Sequence, residues 1–286
     1  MSEVPGLGDL GLAPAATDMI DPAHARRLAR TIDLDDGVLA DGALPLTWIW
    51  VFFAPDAPTA ALREDGHPRT EAGGALGGLT QRMWLGGALE ASAPIALGVE
   101  TRRVSTVLSA DHKEGSTGPF LIVGLEHRYH QDDRLVLTER QQVMYRAPAK
   151  ASAPPPGPST EPPATDGLTE TRRPDERLLF RYSALTFNTH RIHYDLPYTT
   201  TVEGHHGLVV HGPLTATLLA GVAARRLGAP LTSFTCRAQT PSYAGLDLHL
   251  VAETTADGEV VRAIRADGAT VMTGTAVSAS RSGERP

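Results

Sequence analysis

Two segments of the chain carry side chains that can move a proton and hold an anion. The first, Asn188-Thr189-His190-Arg191-Ile192-His193-Tyr194-Asp195, sets amide, imidazole, guanidinium and carboxylate groups close together between apolar flanks. Asn188 and His193 stand five positions apart, which on a helix would place them about 140° apart. They can face one site only from a loop or turn, a place where site residues are often carried. The second segment, Leu208-Val209-Val210-His211-Gly212-Pro213, leads into the most apolar helical run of the chain. A helix that starts there offers unpaired backbone N–H groups to an anion or a developing oxyanion. Pro213 has no N–H, so the usable donors are Gly212 and Leu214.

The elements that must position these groups can be read in outline. Gly212-Pro213 ahead of LTATLLAGVAARRLG predicts a helix N-terminus, with Arg225 and Arg226 in its last turn and Gly228 at its end. Leu214, Thr217, Leu218, Gly221, Val222 and Arg225 recur at helical spacing, which predicts a central helix. ERLLFRYSALTF reads as a strand running into the polar segment. After the helix, SFTCRAQTPSYAGLDLHLVAETT and GEVVRAIRADGATVMTGTAVSAS alternate as strands, with Asp-Gly turns at 257–258 and 267–268. Asp195 reads as a cap for LPYTT. His190, His193, His205, His206 and His211 raise a zinc site, but they lack the regular helical His spacing, and no metal is expected.

The remainder of the chain follows the same logic. Residues 1–20 read as a flexible tail, and Asp21-Pro22 as the capped start of a helix. PLTWIWVFFAP (45–55) is a buried strand or a buried helix end, which periodicity alone leaves open. Residues 56–80 read as a loop, and 100–147 as antiparallel strands with EGSTG and QDD turns. The proline-rich stretch 148–170 reads as a semi-rigid linker between an N-terminal domain (21–147) and a C-terminal domain (171–286) that holds the chemistry. With 286 residues, 41% hydrophobic and 21% charged, the composition suits a soluble globular protein of one large or two ordinary domains. The net charge of −7 and the lack of a long basic run argue against nucleic acid as a partner. A single cysteine, Cys236, rules out an intrachain disulfide and cysteine metal clusters. No membrane partner is expected, because no apolar run is long enough to span a bilayer. The N-terminus does not read as a signal peptide, which makes cytoplasm the expected location.

His193 in its Ile-His-Tyr-Asp setting, followed by His211-Gly212-Pro213-Leu214-Thr215-Ala216, resembles the motif of the MaoC-like enoyl-thioester hydratases and dehydratases. RYSALTFNTHRIHYD with GLVVHGPL is closer to one branch, the mesaconyl-C4-CoA and itaconyl-CoA hydratases and the type 2 hydroxyacyl-thioester dehydratases. QRMWLGGALE (81–90), Arg103-Val104-Ser105-Thr106 and KEGSTGP (113–119) resemble the N-terminal half of that branch. The resemblance implies an α+β double hot-dog, two antiparallel sheets each wrapping a central helix. It also implies reversible hydration of an α,β-unsaturated acyl-CoA. His193 would activate water, and the N–H of Gly212 would polarise the thioester carbonyl. The family's acid position falls on Asn188, an amide that cannot act as a base and is assigned here to holding the water. Arg191, where proline is common, fits a substrate carboxylate, as in a branched dicarboxylyl-CoA such as mesaconyl-CoA. Arg82, His211 and Trp84 are the other candidate substrate contacts. Arg237 is a further guanidinium that could meet a phosphate or carboxylate. No cofactor is implied beyond the CoA of the substrate, and a homodimer is the family expectation. Two alternatives stand beside this: a hydroxyacyl-ACP dehydratase of lipid or polyketide assembly, and a non-catalytic thioester-binding subunit.

Overall fold

The computed structural model describes residues 5–69, 76, 78–115, 118–147, 156–157, 161–162, 165–255 and 258–278. Four α-helices lie among them: α1 (Pro22–Thr31), α2 (Glu176–Thr186), α3 (Leu196–Thr201) and α4 (Gly212–Leu227). The strands are β1 (Ala15–Met19), β2 (Ala43–Leu44), β3 (Gln81–Ala91), β4 (Ile95–Ala96), β5 (Glu100–Gly115), β6 (Gly118–Gln131) and β7 (Arg134–Arg146). The second half adds β8 (Leu168–Arg172), β9 (Leu231–Ala238), β10 (Leu248–Thr255), β11 (Gly258–Arg265) and β12 (Thr270–Ser278). All but β2 and β4 join one antiparallel sheet in the order β1-β5-β6-β7-β3-β9-β12-β11-β10-β8. The halves meet at β3 and β9, where Gly87 lies opposite Cys236 and Leu89 opposite Phe234.

The central helix forms as its sequence predicts. His211 is its N-cap, Pro213 sits in its first turn, and Gly228 ends it in a left-handed conformation with φ 68°. Leu214, Leu219 and Val222 are fully buried, and α4 packs against β9 to β12 and against a 3-10 turn at Leu46–Val51. That turn settles the open reading of residues 45–55: its backbone is helical and it buries Trp48 and Ile49. The Asp21 carboxylate caps α1 by accepting from Ala23 and His24 N–H.

Three expectations need correction. ERLLFRYSALTF is not a strand; it lies in helix α2, capped by the Asp175 carboxylate on Leu178 N–H. Its buried residues, Leu179, Tyr182, Ser183 and Leu185, recur at three- and four-residue spacing, so the period is helical. The described part of the 1–20 tail is anchored, because Ala15–Met19 pairs with β5 as an edge strand and Leu10 is buried. The expected linker ends too late, since Leu168–Glu170 already pair with β10. Most of the linker, part of the EGSTG turn and Asp257 lie outside the described residues.

Candidate active site

The polar segment is held as a loop, as the five-residue separation requires. Helix α2 stops at Phe187, whose φ of 51° turns the chain, and Asn188 N–H bonds back to Ser183 O at 2.9 Å. The Asn188 side-chain oxygen then accepts from His190 N–H at 2.9 Å, which is an Asx-turn. A 3-10 turn over Arg191–His193 follows, and Asp195 caps α3 by accepting from Tyr198 N–H at 3.0 Å. The chain leading to α4 is stitched to this loop by Val209 N–H donating to Ile192 O at 2.9 Å.

His193 is buried, and its Nδ1–H donates to the Val209 carbonyl at 2.7 Å. A carbonyl can only accept, so this bond fixes the tautomer and leaves Nε2 with its lone pair free. Among the described residues Nε2 has no protein partner. Burial pushes the His193 pKa down to about 4, with nearby His67 and His205 adding to the effect and the Val209 bond opposing it. The ring lies face to face with His211, at 3.5 Å between centroids and 16° between planes. His211 is itself held by Ser183 Oγ at 2.9 Å, and burial drives its pKa well below the usual histidine value.

His193, His211 and Gly212 open on a cavity of about 1500 Å³ that draws its walls from both halves. Gly212 begins α4, so its N–H has no intrahelical acceptor. A Cβ at Gly212 would lie 2.8 Å from Trp84 Cε3, so the indole rests directly on the helix start and only glycine fits beneath it. Trp84 in turn meets Trp50 edge-on at 5.6 Å.

A further part of the wall belongs to the N-terminal half and is polar. His127 is bonded through Nδ1 to Ser105 Oγ at 2.8 Å and through Nε2 to the Gln141 amide at 2.7 Å. The Glu139 carboxylate accepts from Trp50 Nε1 at 2.8 Å and from Tyr129 OH at 2.6 Å. Arg82 and Arg103 also line this cavity, and among the described residues neither has a carboxylate within ion-pair distance. Arg103 stands 5.0 Å over the Phe53 ring.

The structure thus brings His193, Asn188, Gly212, Arg82, His211 and Trp84 to one cavity. It does not bring Arg191 there. The Arg191 guanidinium grips the Asp195 carboxylate at 3.0 and 2.7 Å and lies 3.9 Å over the Tyr198 ring, which makes it a brace for the loop. Arg237 is also outside the cavity lining. Asp195 is spent on capping α3 and binding Arg191, so it does not hold His193. Among the described residues no three His, Cys, Asp or Glu side chains are grouped to bind a metal. Sequence reasoning missed the wall of His127, Glu139 and Gln141, although their alternation along β6 and β7 was the available signal. It also missed His67, which a loop of the N-terminal half delivers from far away in sequence.

Solved structures place this architecture among the double hot-dog proteins. HtdX from Mycobacterium tuberculosis superposes with a TM-score of 0.67 at 18% identity, covering 93% of this chain and 100% of that one. A MaoC-like dehydratase gives a TM-score of 0.69 at 16% identity over 95% of this chain and 99% of the other. A further M. tuberculosis protein described as a double hotdog gives 0.54 at 18% identity, covering 95% and 97%. The sequence itself goes further, for residues 47–244 match the hydroxyacyl-thioester dehydratase type 2 family. The chain is also 37% identical to the mesaconyl-C(4)-CoA hydratase of Chloroflexus aurantiacus, over 96% of this chain and 98% of that protein. A 44-residue stretch, 15% of each chain, is 48% identical to the mitochondrial hydroxyacyl-thioester dehydratase type 2 of Schizosaccharomyces pombe. The protein belongs to the hydroxyacyl-thioester dehydratase type 2 family and is a hydro-lyase of acyl thioesters. Among its described residues no helix is long and apolar enough to cross a membrane.

Proposed function

We propose that the protein adds water reversibly across the α,β double bond of a short, branched dicarboxylyl-CoA, with mesaconyl-CoA as the model substrate. The observation that carries this reading is the fixed tautomer of His193. Its Nδ1–H is committed to Val209, so Nε2 meets the cavity as a base beside the start of α4. In hydration, Nε2 takes a proton from water as the oxygen bonds to the β-carbon. Electron density moves onto the thioester oxygen, where the N–H of Gly212 donates to the forming enolate. The enolate then collapses and takes a proton at the α-carbon. The side-chain nitrogen of Asn188 can donate to the water while its oxygen keeps the Asx-turn.

Support for a carboxylate comes from the relative's name and from the polar wall, where the guanidinium of Arg82 lines the cavity without a carboxylate partner. A long aliphatic chain against Arg82 would leave its guanidinium desolvated without a counter-charge, at a cost. No cofactor is needed for this chemistry beyond the CoA that the substrate carries. A homodimer is compatible with the reading, and these residues come together within one chain without it. The test follows enoyl-thioester absorbance with mesaconyl-C4-CoA, crotonyl-CoA and a long-chain enoyl-CoA. Faster loss with mesaconyl-C4-CoA is expected; no loss with any thioester would leave only a binding role.

A further inference from the structure

The position where the family places an acid holds Asn188, yet an imidazole paired with a carboxylate reaches the site from the other half of the chain. The segment 62–68 forms a tight loop, closed by a bridge between Leu62 and Pro68 and by Arg63 N–H donating to His67 O at 2.8 Å. Three of the contacts that pin it onto the polar segment fix its position. Arg191 N–H donates to Asp65 O at 2.9 Å, and Thr189 Oγ1 donates to Gly66 O at 2.6 Å. At the third point a Cβ on Gly66 would fall 1.8 Å from Thr189 O, and φ there is +91°, so only glycine permits the contact.

This loop aims His67 into the cavity. The Asp65 carboxylate accepts His67 N–H at 2.9 Å and meets His67 Nδ1 at 3.3 Å. The His67 ring lies 4.1 Å from that of His190, which is 5.5 Å from His193, which stacks on His211. Four imidazoles therefore stand in a row, and only His67 has a carboxylate on its ring. The groups facing it are Asp65 and Arg63 on its own loop, Arg82 on β3, and His190 and His193 on the polar segment. Burial lowers the His67 pKa, with Arg82 and Arg63 adding to this, while the hydrogen bond and charge of Asp65 work to keep the ring protonatable. Burial alone would raise the Asp65 pKa, but the His67 bonds and the charges of His67 and Arg63 outweigh it and leave it lowered.

We propose that His67, oriented by Asp65, is the second proton-transfer group of the site and does the work that a carboxylate at position 188 would do. The assignment rests on the hydratase reading above. In hydration His193 removes a proton from water and the C–O bond forms at the β-carbon. The imidazolium of His67, paired with Asp65, then gives its Nε2 proton to the α-carbon as the enolate collapses. One proton leaves water for His193 and one leaves His67 for carbon, and transfer from His193 to His67 resets the site. Dehydration runs the same steps backwards, with neutral His67 taking the α-proton.

This scheme needs His193 neutral and His67 charged; burial lowers both pKa values, so hydration is fastest in mildly acidic solution, and kcat/KM falls on the alkaline side, below the ordinary histidine value, as His67 loses its proton. Asp65→Asn removes the charge that favours imidazolium, and its alkaline limb is expected about one unit lower than that of the parent. His67→Ala is expected to lose about 100-fold or more in turnover, with partial recovery in added imidazole. A parent without an alkaline limb between pH 5 and 9, an unmoved limb in folded Asp65→Asn, or His67→Ala within threefold of the parent overturns the assignment. Should Asp65→Asn fail to fold, His67→Gln decides, because it can still meet Asp65 but cannot carry the proton; turnover within threefold of the parent overturns the proposal. A parent that hydrates no enoyl-CoA overturns the hydratase reading and this assignment with it. An active parent with unaffected variants overturns this assignment alone.

Discussion

The imidazoles of His193 and His211 lie parallel, 3.5 Å apart, with His193 tied to a backbone carbonyl and His211 to a serine hydroxyl. Two stacked rings cannot both be charged without repulsion, and each is buried. The pair is therefore neutral near pH 7, which is the state a base needs before water arrives. The stack also fixes the plane of His193, so its free nitrogen has one direction.

Removing that base should stop the reaction without unfolding the protein. His193→Ala is expected to lower turnover about 100-fold or more, the usual span for a general base. The check is kcat with mesaconyl-C4-CoA alongside a circular dichroism spectrum. A folded variant within threefold of the parent would make His193 structural and sink the mechanism.

The same burial has a consequence for stability. His190, His193 and His211 all have pKa values below the ordinary 6.5. As pH falls, the unfolded chain binds these protons first, so the folded state loses ground. The stabilisation is whole above 6.5 and is lost on the way down to the folded value, which for His193 is about 4. That window corresponds to about 3 kcal/mol for His193 alone. Urea midpoints should fall between pH 7.5 and 5, and His193→Gln should flatten the fall. Parallel curves for the two proteins would show that His193 titrates normally.

Two arginines that look alike in sequence should behave differently. Arg82 faces the cavity without a carboxylate partner, whereas Arg191 braces Asp195 and Tyr198. Arg82→Gln is expected to cut kcat/KM for mesaconyl-C4-CoA roughly 10- to 100-fold, the value of a lost charge-assisted bond, with less effect on crotonyl-CoA. Arg191→Gln should cost about 1 kcal/mol of stability and leave the ratio between the two substrates alone. Equal losses on both substrates for Arg82→Gln would remove it as the carboxylate contact.

What could be read in advance depended on how local its cause was. Helix α4 announced itself because Gly212, Pro213 and Gly228 act on their own backbone. The strands from β5 to β7 and β9 to β12 announced themselves by alternation. Helix α2 reads as a strand in the sequence because exposed Phe180 and Phe187 interrupt the apolar stripe, although Asp175 at its cap is a usable sign. Arg191 was misplaced although its partner, Asp195, lies one helical turn away. His67 could not have been placed at all. Its approach rests on Gly66 meeting Thr189 across 123 residues, and no local pattern encodes that contact.

Asn188→Asp tests whether the amide belongs to the chemistry or only to the turn. The Asn188 oxygen already accepts His190 N–H, and aspartate can keep that bond, so the loop should hold its shape. The new charge would line the same cavity as His193, whose pKa is held down mainly by burial. A carboxylate there favours imidazolium and raises that pKa. His193 must be neutral to take a proton from water, so the acid limb of kcat/KM should move to higher pH. The rate on the plateau should match or exceed the parent, because aspartate accepts from water where the amide nitrogen could only donate. An acid limb that stays at the parental position, measured across pH 3.5–9 on a folded variant, would confine Asn188 to the turn. His193 would then work with His67 alone.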